Sequence, residues 1–138
     1  MIKIRLKESL EKSAAKFVLP SLEDEKGEFD RYNFSKDEIK RIKKQFVQKN
    51  LQPLSDSVWK KLQNTDSWAI KNLEDVIKLS QEYGRDWESI KNALQSNKEL
   101  PAPIVLRRGG SYELIGGNTR LMVAKALNIR PTVLLIEL

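Results

Sequence analysis

The residues best suited to chemistry form one short run, Gly116-Gly117-Asn118-Thr119-Arg120, between a predicted strand and a predicted helix. Glycines let an anion approach the backbone closely, and the first turn of a helix exposes unpaired N–H groups at the positive end of the helix dipole. Thr119 adds a hydroxyl, and Arg120 is unfavourable for the dipole unless it serves a phosphate. The run predicts a phosphate site. The alternative is a tight strand-to-helix connection in which Asn118 or Thr119 is only the N-cap.

The composition narrows the chemistry that such a site could perform. The 138 residues include neither cysteine nor histidine, which excludes thiolate nucleophiles, disulfides, Ser-His-Asp catalysis and HExxH zinc sites. Any catalysis must use carboxylates, arginine, lysine, backbone amides or Mg²⁺. The length fits one domain. Because no apolar run reaches the ~20 residues of a membrane span, we expect a cytoplasmic protein without a membrane partner.

The net charge of +6 is unevenly distributed. Basic residues exceed acidic ones in 1–50 and in 101–138, whereas the middle of the chain is nearly balanced. If the fold brings the two ends together, they form a basic surface suited to nucleic acid or a nucleotide. The alternative is ordinary charge that keeps the protein soluble.

Helices are predicted in the middle of the chain, after a strand and a loop. Alternating apolar and basic residues in 1–6 predict a strand, and the acidic stretch 21–30 predicts a loop. A capping box, Ser35-x-x-Glu38, opens the first helix, which ends before Pro53. Three more helices are predicted at about 56–62, 67–83 and 86–96. The apolar spacing of the four helices predicts inward-facing side chains that include Ile39, Trp59, Tyr83 and Trp87. For all three tryptophans, Trp68 included, a core role is expected rather than base stacking.

Strands dominate the last part of the chain and position the glycine-rich run. The prolines at 101 and 103 forbid helix and introduce a strand over 104–107. Gly109-Gly110 predicts a two-residue turn with positive φ, followed by a strand over 111–115. A helix over 118–127 and a strand over 132–138 complete the chain. The order predicts a mixed α+β domain with a helical insertion.

Two stretches in the last third resemble the ParB N-terminal/sulfiredoxin superfamily. They are Pro103-Ile-Val-Leu-Arg107 and Tyr112-Glu-Leu-Ile-Gly-Gly-Asn-Thr-Arg-Leu-Met-Val-Ala124. The resemblance is close over 100–138, and the predicted strand 1–6 and helix 86–96 fit other parts of the family pattern. It implies one domain over 1–138, a small mixed sheet with a phosphate-binding turn, and a helical insertion at 35–85.

Members of this superfamily use the turn to hold nucleotide phosphates. ParB proteins bind and hydrolyse CTP with Mg²⁺ while loading on DNA, sulfiredoxin uses ATP to repair an oxidised cysteine, and related members are small-molecule kinases or are described as nucleases. The resemblance implies ATP or CTP as the ligand, Mg²⁺ as an accompanying ion, and a bacterial or phage origin. The phosphate-binding residues that it implies are Gly116, Gly117, Asn118, Thr119, Arg120 and Arg107.

The run also departs from the superfamily pattern. Asn118 and Thr119 stand where sulfiredoxin has Cys-His and where ParB proteins have Glu-Arg. Without a cysteine, sulfiredoxin chemistry is excluded. Without the acidic residue of the ParB turn, phosphate binding no longer implies metal binding and hydrolysis.

Catalysis would need a carboxylate, and two candidates stand out. Glu113 occupies the glutamate position of the family's Tyr-Glu-Leu-Ile strand, where a structural role is the alternative. The second candidate is an acidic cluster with a solvated loop as its alternative: Glu23, Asp24, Glu25, Glu28 and Asp30.

Three functions therefore stay open. The favoured one is a nucleotide-binding switch or weak Mg²⁺-dependent NTPase that acts with DNA or a protein partner. The second is a small-molecule phosphotransferase or a nuclease. The third is a non-catalytic DNA-binding or adaptor module that uses the helical insertion as its contact surface.

Overall fold

The computed structural model of the chain describes residues 16–138. The strand predicted for 1–6 lies outside the described residues. The described helices, in chain order, are α1 (Lys26–Arg31), α2 (Lys36–Gln48), α3 (Asp56–Lys61), a 3₁₀ turn (Ser67–Ala69), α4 (Leu73–Tyr83), α5 (Trp87–Gln95) and α6 (Asn118–Ala126). The described strands are β1 (Phe17–Val18), β2 (Leu51–Pro53), β3 (Leu62–Gln63), β4 (Leu100–Pro101), β5 (Ile104–Arg108), β6 (Ser111–Gly116) and β7 (Thr132–Glu137).

Five of these strands form one mixed sheet in the order β2-β7-β5-β6-β3. The β5–β6 pair is an antiparallel hairpin, β7 runs parallel to β5, and β2 and β3 lie at the two edges. A separate pair joins β1 to β4 in parallel. The α+β class predicted from the sequence is therefore confirmed.

The segment predicted as a helical insertion, 35–85, also contributes to the sheet. It supplies β2 and β3, which are the two edge strands, as well as α2, α3 and α4. Pro53 is tolerated in β2 because an edge strand can leave one side of its backbone unpaired. Both strands have three residues or fewer, too short to produce an alternating pattern that could be read from the sequence.

The central strand β5 is buried on both faces. Ile104 and Leu106 pack with the apolar side of α1 and α2, whereas Val105 packs on the opposite face with Trp59 of α3 and Leu121 of α6. Such two-sided burial explains why the start of β5 is continuously apolar rather than alternating. It also fixes the start of α6 against the end of the hairpin.

Two of the secondary-structure predictions are wrong in part. The predicted loop 21–30 contains the start of α1, because Phe29 is buried against Phe34 and Phe46 and anchors a turn of helix there. The predicted helix 67–83 is broken into a 3₁₀ turn and α4, since Asn72 caps α4 with Asp75 in a capping box. An N-cap residue has non-helical backbone angles, so a continuous helix cannot pass through it.

Some side chains that were predicted to face the core are exposed. Trp59 is buried and Trp87 is half-buried, but Trp68 is 59% exposed. Tyr83 and Ile39, both predicted to point inward, are 60% and 41% exposed. The prediction for Trp68 depended on its place in the helical middle of the chain, and it lies instead in the 3₁₀ turn before the break at Asn72.

Candidate functional site

The helix α6 begins without a side-chain cap. Gly117 is its N-cap, with φ of 101° in the left-handed region, and no side chain accepts a hydrogen bond from the first turn. The alternative, in which Asn118 or Thr119 is only the N-cap, is therefore wrong. The amides of the first turn have no intrahelical acceptor, so they remain available at the positive end of the helix dipole.

Close contacts require glycine at Gly117, whereas Gly116 faces only the end of one flexible side chain. A β-carbon on Gly117 would lie 2.7 Å from Pro103 Cβ and 2.9 Å from Arg120 Nη2. A β-carbon on Gly116 would lie 2.9 Å from Glu25 Oε2. Gly117 therefore lets Pro103, just before β5, approach the turn at a distance that no side chain permits, whereas the Glu25 carboxylate could move to admit a side chain at Gly116.

Asn118 has a structural role in this arrangement. Its Oδ1 accepts hydrogen bonds from Thr65 Oγ1 at 2.6 Å and from the Asp66 amide at 3.2 Å. Thr65 in turn bonds to Ser67, which is fully buried and accepts from the indole N–H of Trp59. Asn118 thus fastens the turn to the 3₁₀ region and is not free to hold a ligand through its carbonyl oxygen. Thr119 is half-buried at the edge of the cavity described below.

Arg120 is paired with an acidic residue of α1's N-terminus. Its Nη2 lies 3.5 Å from Glu25 Oε1, and the two side chains are 15% and 12% exposed. The neighbouring Glu28 pairs with Arg31 at 3.5 Å. The acidic cluster is therefore divided: Glu25 and Glu28 face the turn, whereas Glu23 and Asp30 line a different groove between α1 and α2.

The turn opens into a cavity of about 770 Å³. This volume lies within the range of small-molecule sites, roughly 300–1,000 Å³. Three arginines from separate parts of the chain line it (Arg31, Arg85 and Arg120), against two carboxylates, Glu25 and Glu28. With the dipole of α6, the walls therefore favour an anion.

Arg31 and Arg85 were missed by the sequence analysis. Arg85 has no carboxylate within 4 Å among residues 16–138, and its guanidinium carbon lies 5.1 Å from the centre of the Tyr83 ring. Its only hint in the sequence is its position after Gly84, the residue that ends α4 with φ of 66°. Neither arginine is near the glycine-rich run in the sequence, so only the tertiary fold brings them to it.

Tyr32 and Asn64 form a neutral polar wall of the cavity. The Tyr32 hydroxyl donates to the Leu114 carbonyl at 3.2 Å and accepts from Asn64 Nδ2 at 3.1 Å. Burial raises the pKa of Tyr32, nearby Glu113 and Glu28 raise it further, and the Asn64 hydrogen bond opposes them. Tyr32 therefore stays protonated at neutral pH and can act as a hydrogen-bonding group but not as a base.

The structure does not bring Glu113 or Arg107 to the cavity wall. Glu113 is a half-buried residue of β6 whose Cα partners are Leu106 and Gln63. Arg107 lies in a second groove, with its Nη1 3.4 Å from Glu137 Oε1 and its guanidinium carbon 5.7 Å from the centre of the Tyr112 ring. The register explains the separation: Gly116 pairs with Ile104, and Arg107 is three residues further along β5, about 10 Å away.

Residues 16–138 contain no group of three or more acidic side chains arranged to hold a metal ion. Glu25 and Glu28 are the two carboxylates that a metal–phosphate complex would meet in the cavity. Mg²⁺ is commonly held by one or two carboxylates together with substrate phosphates, so the pair fits that mode of binding.

Among residues 16–138, no helix has the length and apolar character needed to cross a bilayer. Comparisons of the chain with protein-family models, with curated proteins and with solved structures found no match.

Proposed function

We propose that the protein binds the phosphate groups of a nucleoside triphosphate in the cavity at the start of α6. One observation carries the proposal: the uncapped first turn of α6 opens into a cavity of about 770 Å³ whose walls include three arginines. A helix N-terminus with free amides is a ready anion site, and arginine matches phosphate oxygens in a bidentate manner. The resemblance to the ParB/sulfiredoxin superfamily supports the same location.

The turn and the arginines divide the task of binding. The amides at the start of α6 would hold one phosphate, and Arg120, in the same helical turn, would neutralise it. Arg31 and Arg85 stand on other walls and would contact the remaining phosphates or the sugar. Asn118 holds the turn in place through Thr65 and Asp66, so its contribution is positional.

Glu25 makes binding conditional. In the free protein the Glu25 carboxylate lies 3.5 Å from Arg120 Nη2 and forms an ion pair with the guanidinium group that a phosphate would need. A phosphate must therefore displace Glu25 or approach with a cation that neutralises it. Mg²⁺ held by Glu25, Glu28 and the ligand would neutralise both carboxylates and phosphates, which is the chemistry that the ion supplies in such sites. We therefore propose ATP or CTP with Mg²⁺ as the ligand class, for a switch or a weak NTPase.

The test measures binding of the four nucleoside triphosphates, with and without Mg²⁺, first by thermal shift and then by titration calorimetry. A ligand that binds only the folded protein raises its melting temperature. We expect at least one triphosphate to do so. Arg120→Ala should weaken binding of that triphosphate by more than about tenfold, because the charge-assisted hydrogen bond and the positive charge of the guanidinium group are lost together.

Arg108→Ala is the matched control for Arg120→Ala. Arg108 is an exposed arginine that pairs with Glu38 at 3.0 Å, away from the cavity. Its replacement removes the same charge and should leave triphosphate binding unchanged. Absence of a thermal shift with every triphosphate would refute the proposed function.

A second candidate is phosphoryl transfer or phosphodiester hydrolysis, favoured by one observation. Glu25 and Glu28 place two carboxylates beside the same turn, where one could activate a hydroxyl or water. This candidate predicts Mg²⁺-dependent turnover that Glu25→Gln abolishes while triphosphate binding survives. If Glu25→Gln binds the triphosphate and wild type shows no turnover with small-molecule acceptors or nucleic acid, binding alone is the function.

A further inference from the structure

The exposed surface of α2, together with its C-cap residue Lys49, carries a strong positive charge. Six basic residues, all exposed, lie between 36 and 49, against the two carboxylates of Asp37 and Glu38. This short segment therefore has a net charge of +4, compared with +6 for the whole chain. We call these cations the α2 basic face; they are Lys36, Lys40, Arg41, Lys43, Lys44 and Lys49.

None of the cations of the α2 basic face has a carboxylate partner within 4 Å in the part of the chain that the structure describes. The carboxylate of Glu38 is already engaged, since it accepts from the Ser35 amide and from Arg108. Surface lysines that serve only solubility are usually interspersed with acidic residues. The segment 36–49 lacks that balance, and the carboxylates of Glu23 and Asp30 face it only across the groove that Lys43 lines.

The spacing of three lysines gives the face a direction. Lys36, Lys40 and Lys44 follow one another at i, i+4 and i+8, so they lie on one side of α2 at intervals of about 6 Å. Like charges at this spacing destabilise a helix. The helix therefore carries repulsion within itself that a row of external negative charges would relieve.

The helix is held rigidly in this orientation. Gln45 forms two hydrogen bonds of 2.7 Å with the backbone of Glu137 at the end of β7, and a capping box fixes the first turn. Ile42 and Phe46 are buried in the core. With Ile42 and Phe46 buried, the apolar residues of α2 that remain exposed are Ile39 and Val47. Two scattered side chains do not form the wide apolar face with which an amphipathic helix enters a lipid bilayer.

We propose that the α2 basic face binds the sugar-phosphate backbone of duplex DNA, independently of the cavity at α6. Duplex DNA presents about one negative charge per 1.7 Å of axis, which matches a closely spaced row of cations. The α2 basic face itself contains no aromatic side chain for stacking on unpaired bases, which disfavours single strands as the ligand. The major groove of DNA admits an α-helix, whereas that of duplex RNA is too narrow.

The test measures fluorescence anisotropy of a short labelled DNA duplex between about 50 and about 200 mM salt. Binding should weaken steeply with salt. The logarithm of the binding constant should fall against the logarithm of the salt concentration with a slope of about −4, which corresponds to roughly four phosphate contacts at about −0.9 each. Replacing three lysines together (Lys36→Gln, Lys40→Gln and Lys44→Gln) should reduce affinity more than about tenfold at low salt. The same variant should lose about 3 from the magnitude of the slope.

A matched triple variant tests whether DNA binding depends on the α2 basic face or only on the net charge of the protein. Lys60→Gln, Lys78→Gln and Lys98→Gln remove the same charge from exposed positions on α3, on α4 and after α5. This control should bind duplex DNA as wild type does. Glutamine preserves helix propensity, and circular dichroism would verify that both triple variants are folded.

Three outcomes would overturn the proposal. They are equal losses in the two triple variants, no duplex binding at about 50 mM salt, and binding to phosphatidylserine vesicles without binding to duplex DNA. Arg120→Ala keeps this test separate from the proposed function: it should leave duplex binding intact, and failure of triphosphate binding would not affect the α2 basic face.

Discussion

The starts of α2 and α6 treat the unpaired amides of their first turns in opposite ways. At α2, Ser35 Oγ accepts from the Glu38 amide at 3.2 Å and Glu38 Oε1 accepts from the Ser35 amide at 3.0 Å. At α6, Gly117 provides no side chain and none caps the first turn. The first helix start is complete within the protein, whereas the second leaves donors for an external acceptor.

The charges follow the same division. The first turn of α2 contains Asp37 and Glu38, which complement the helix dipole, whereas the first turn of α6 contains Arg120, which opposes it. The nearest carboxylate to Arg120 comes from another segment, Glu25. Asp37 and Glu38 therefore favour the stability of the helix that they begin, and Arg120 favours an anion that α6 does not contain.

The largest expected effect comes from filling the open helix start. Gly117→Ala would put a β-carbon 2.7 Å from Pro103 Cβ at a residue with φ of 101°. Left-handed strain and overpacking together should reduce the free energy of unfolding by about 2–3 kcal/mol. Urea denaturation would measure this loss, and triphosphate binding by the remaining folded protein should weaken as the turn shifts.

Gly110→Ala is the control for that substitution. A β-carbon on Gly110 meets nothing within 4 Å, and its φ is not positive. Its free energy of unfolding should stay within about 0.5 kcal/mol of wild type. If Gly117→Ala is equally harmless, the turn is not constrained by close contact, and the contrast between the two helix starts disappears.

The next effect concerns the carboxylate beside Arg120. Glu25→Gln removes the anion that Arg120 contacts in the free protein, so a phosphate no longer competes for it. We expect triphosphate affinity without Mg²⁺ to rise about fivefold to tenfold by titration calorimetry. Glu23→Gln removes the same charge from a residue in the other groove and should change nothing. Weaker binding by Glu25→Gln would show that Glu25 is a ligand rather than a competitor.

At the capped helix start, the expected effect is on stability alone. Ser35→Ala removes the hydroxyl that accepts from the Glu38 amide and should reduce the free energy of unfolding by about 1 kcal/mol. Triphosphate binding should not change, because α2 does not line the cavity. A loss of binding without a loss of stability would contradict the division between the two helix starts.

The capping box also predicts a pH dependence. The hydrogen bond from the Ser35 amide, with a smaller contribution from Arg108, holds the pKa of Glu38 below its ordinary value of 4.5. A lowered carboxyl pKa means stability that is present above pH 4.5 and is lost as the pH falls through the lowered value. The difference in unfolding free energy between wild type and Glu38→Gln should therefore narrow below pH 4.5. A difference that stays constant below pH 4.5 would mean that the capping box does not depend on the negative charge of Glu38.

The sequence predicted the capped helix start but only part of the open one. Ser35 and Glu38 identify α2 because both halves of a capping box lie within four residues. The Gly116-Gly117 pair likewise predicted a turn of close approach. Arg31 and Arg85 could not be found in this way, because long-range packing alone brings them to the cavity.

The same limit explains the predictions that failed. Periodicity located α2, α3 and α5, whose apolar positions meet the core directly. It could not detect the two short edge strands within 35–85, whose pairing partners lie far away in the chain. The alternative in which Asn118 is only the N-cap fails for the same reason, because its oxygen bonds to Thr65, 53 residues away.

The smallest expected effect is that of Arg107→Ala, for which the family resemblance and the position of the side chain predict different results. The resemblance implies that Arg107 binds phosphate, but its side chain is 48% exposed and pairs with Glu137 in a separate groove. An exposed ion pair contributes about 0–1 kcal/mol, so Arg107→Ala should lower the free energy of unfolding by no more than that. Triphosphate affinity should stay within about twofold of wild type. Titration of Arg107→Ala beside Arg120→Ala is therefore decisive. If the two variants lose affinity equally, the ligand must extend along β5 as the resemblance implies; if only Arg120→Ala does, the open start of α6 alone defines the site.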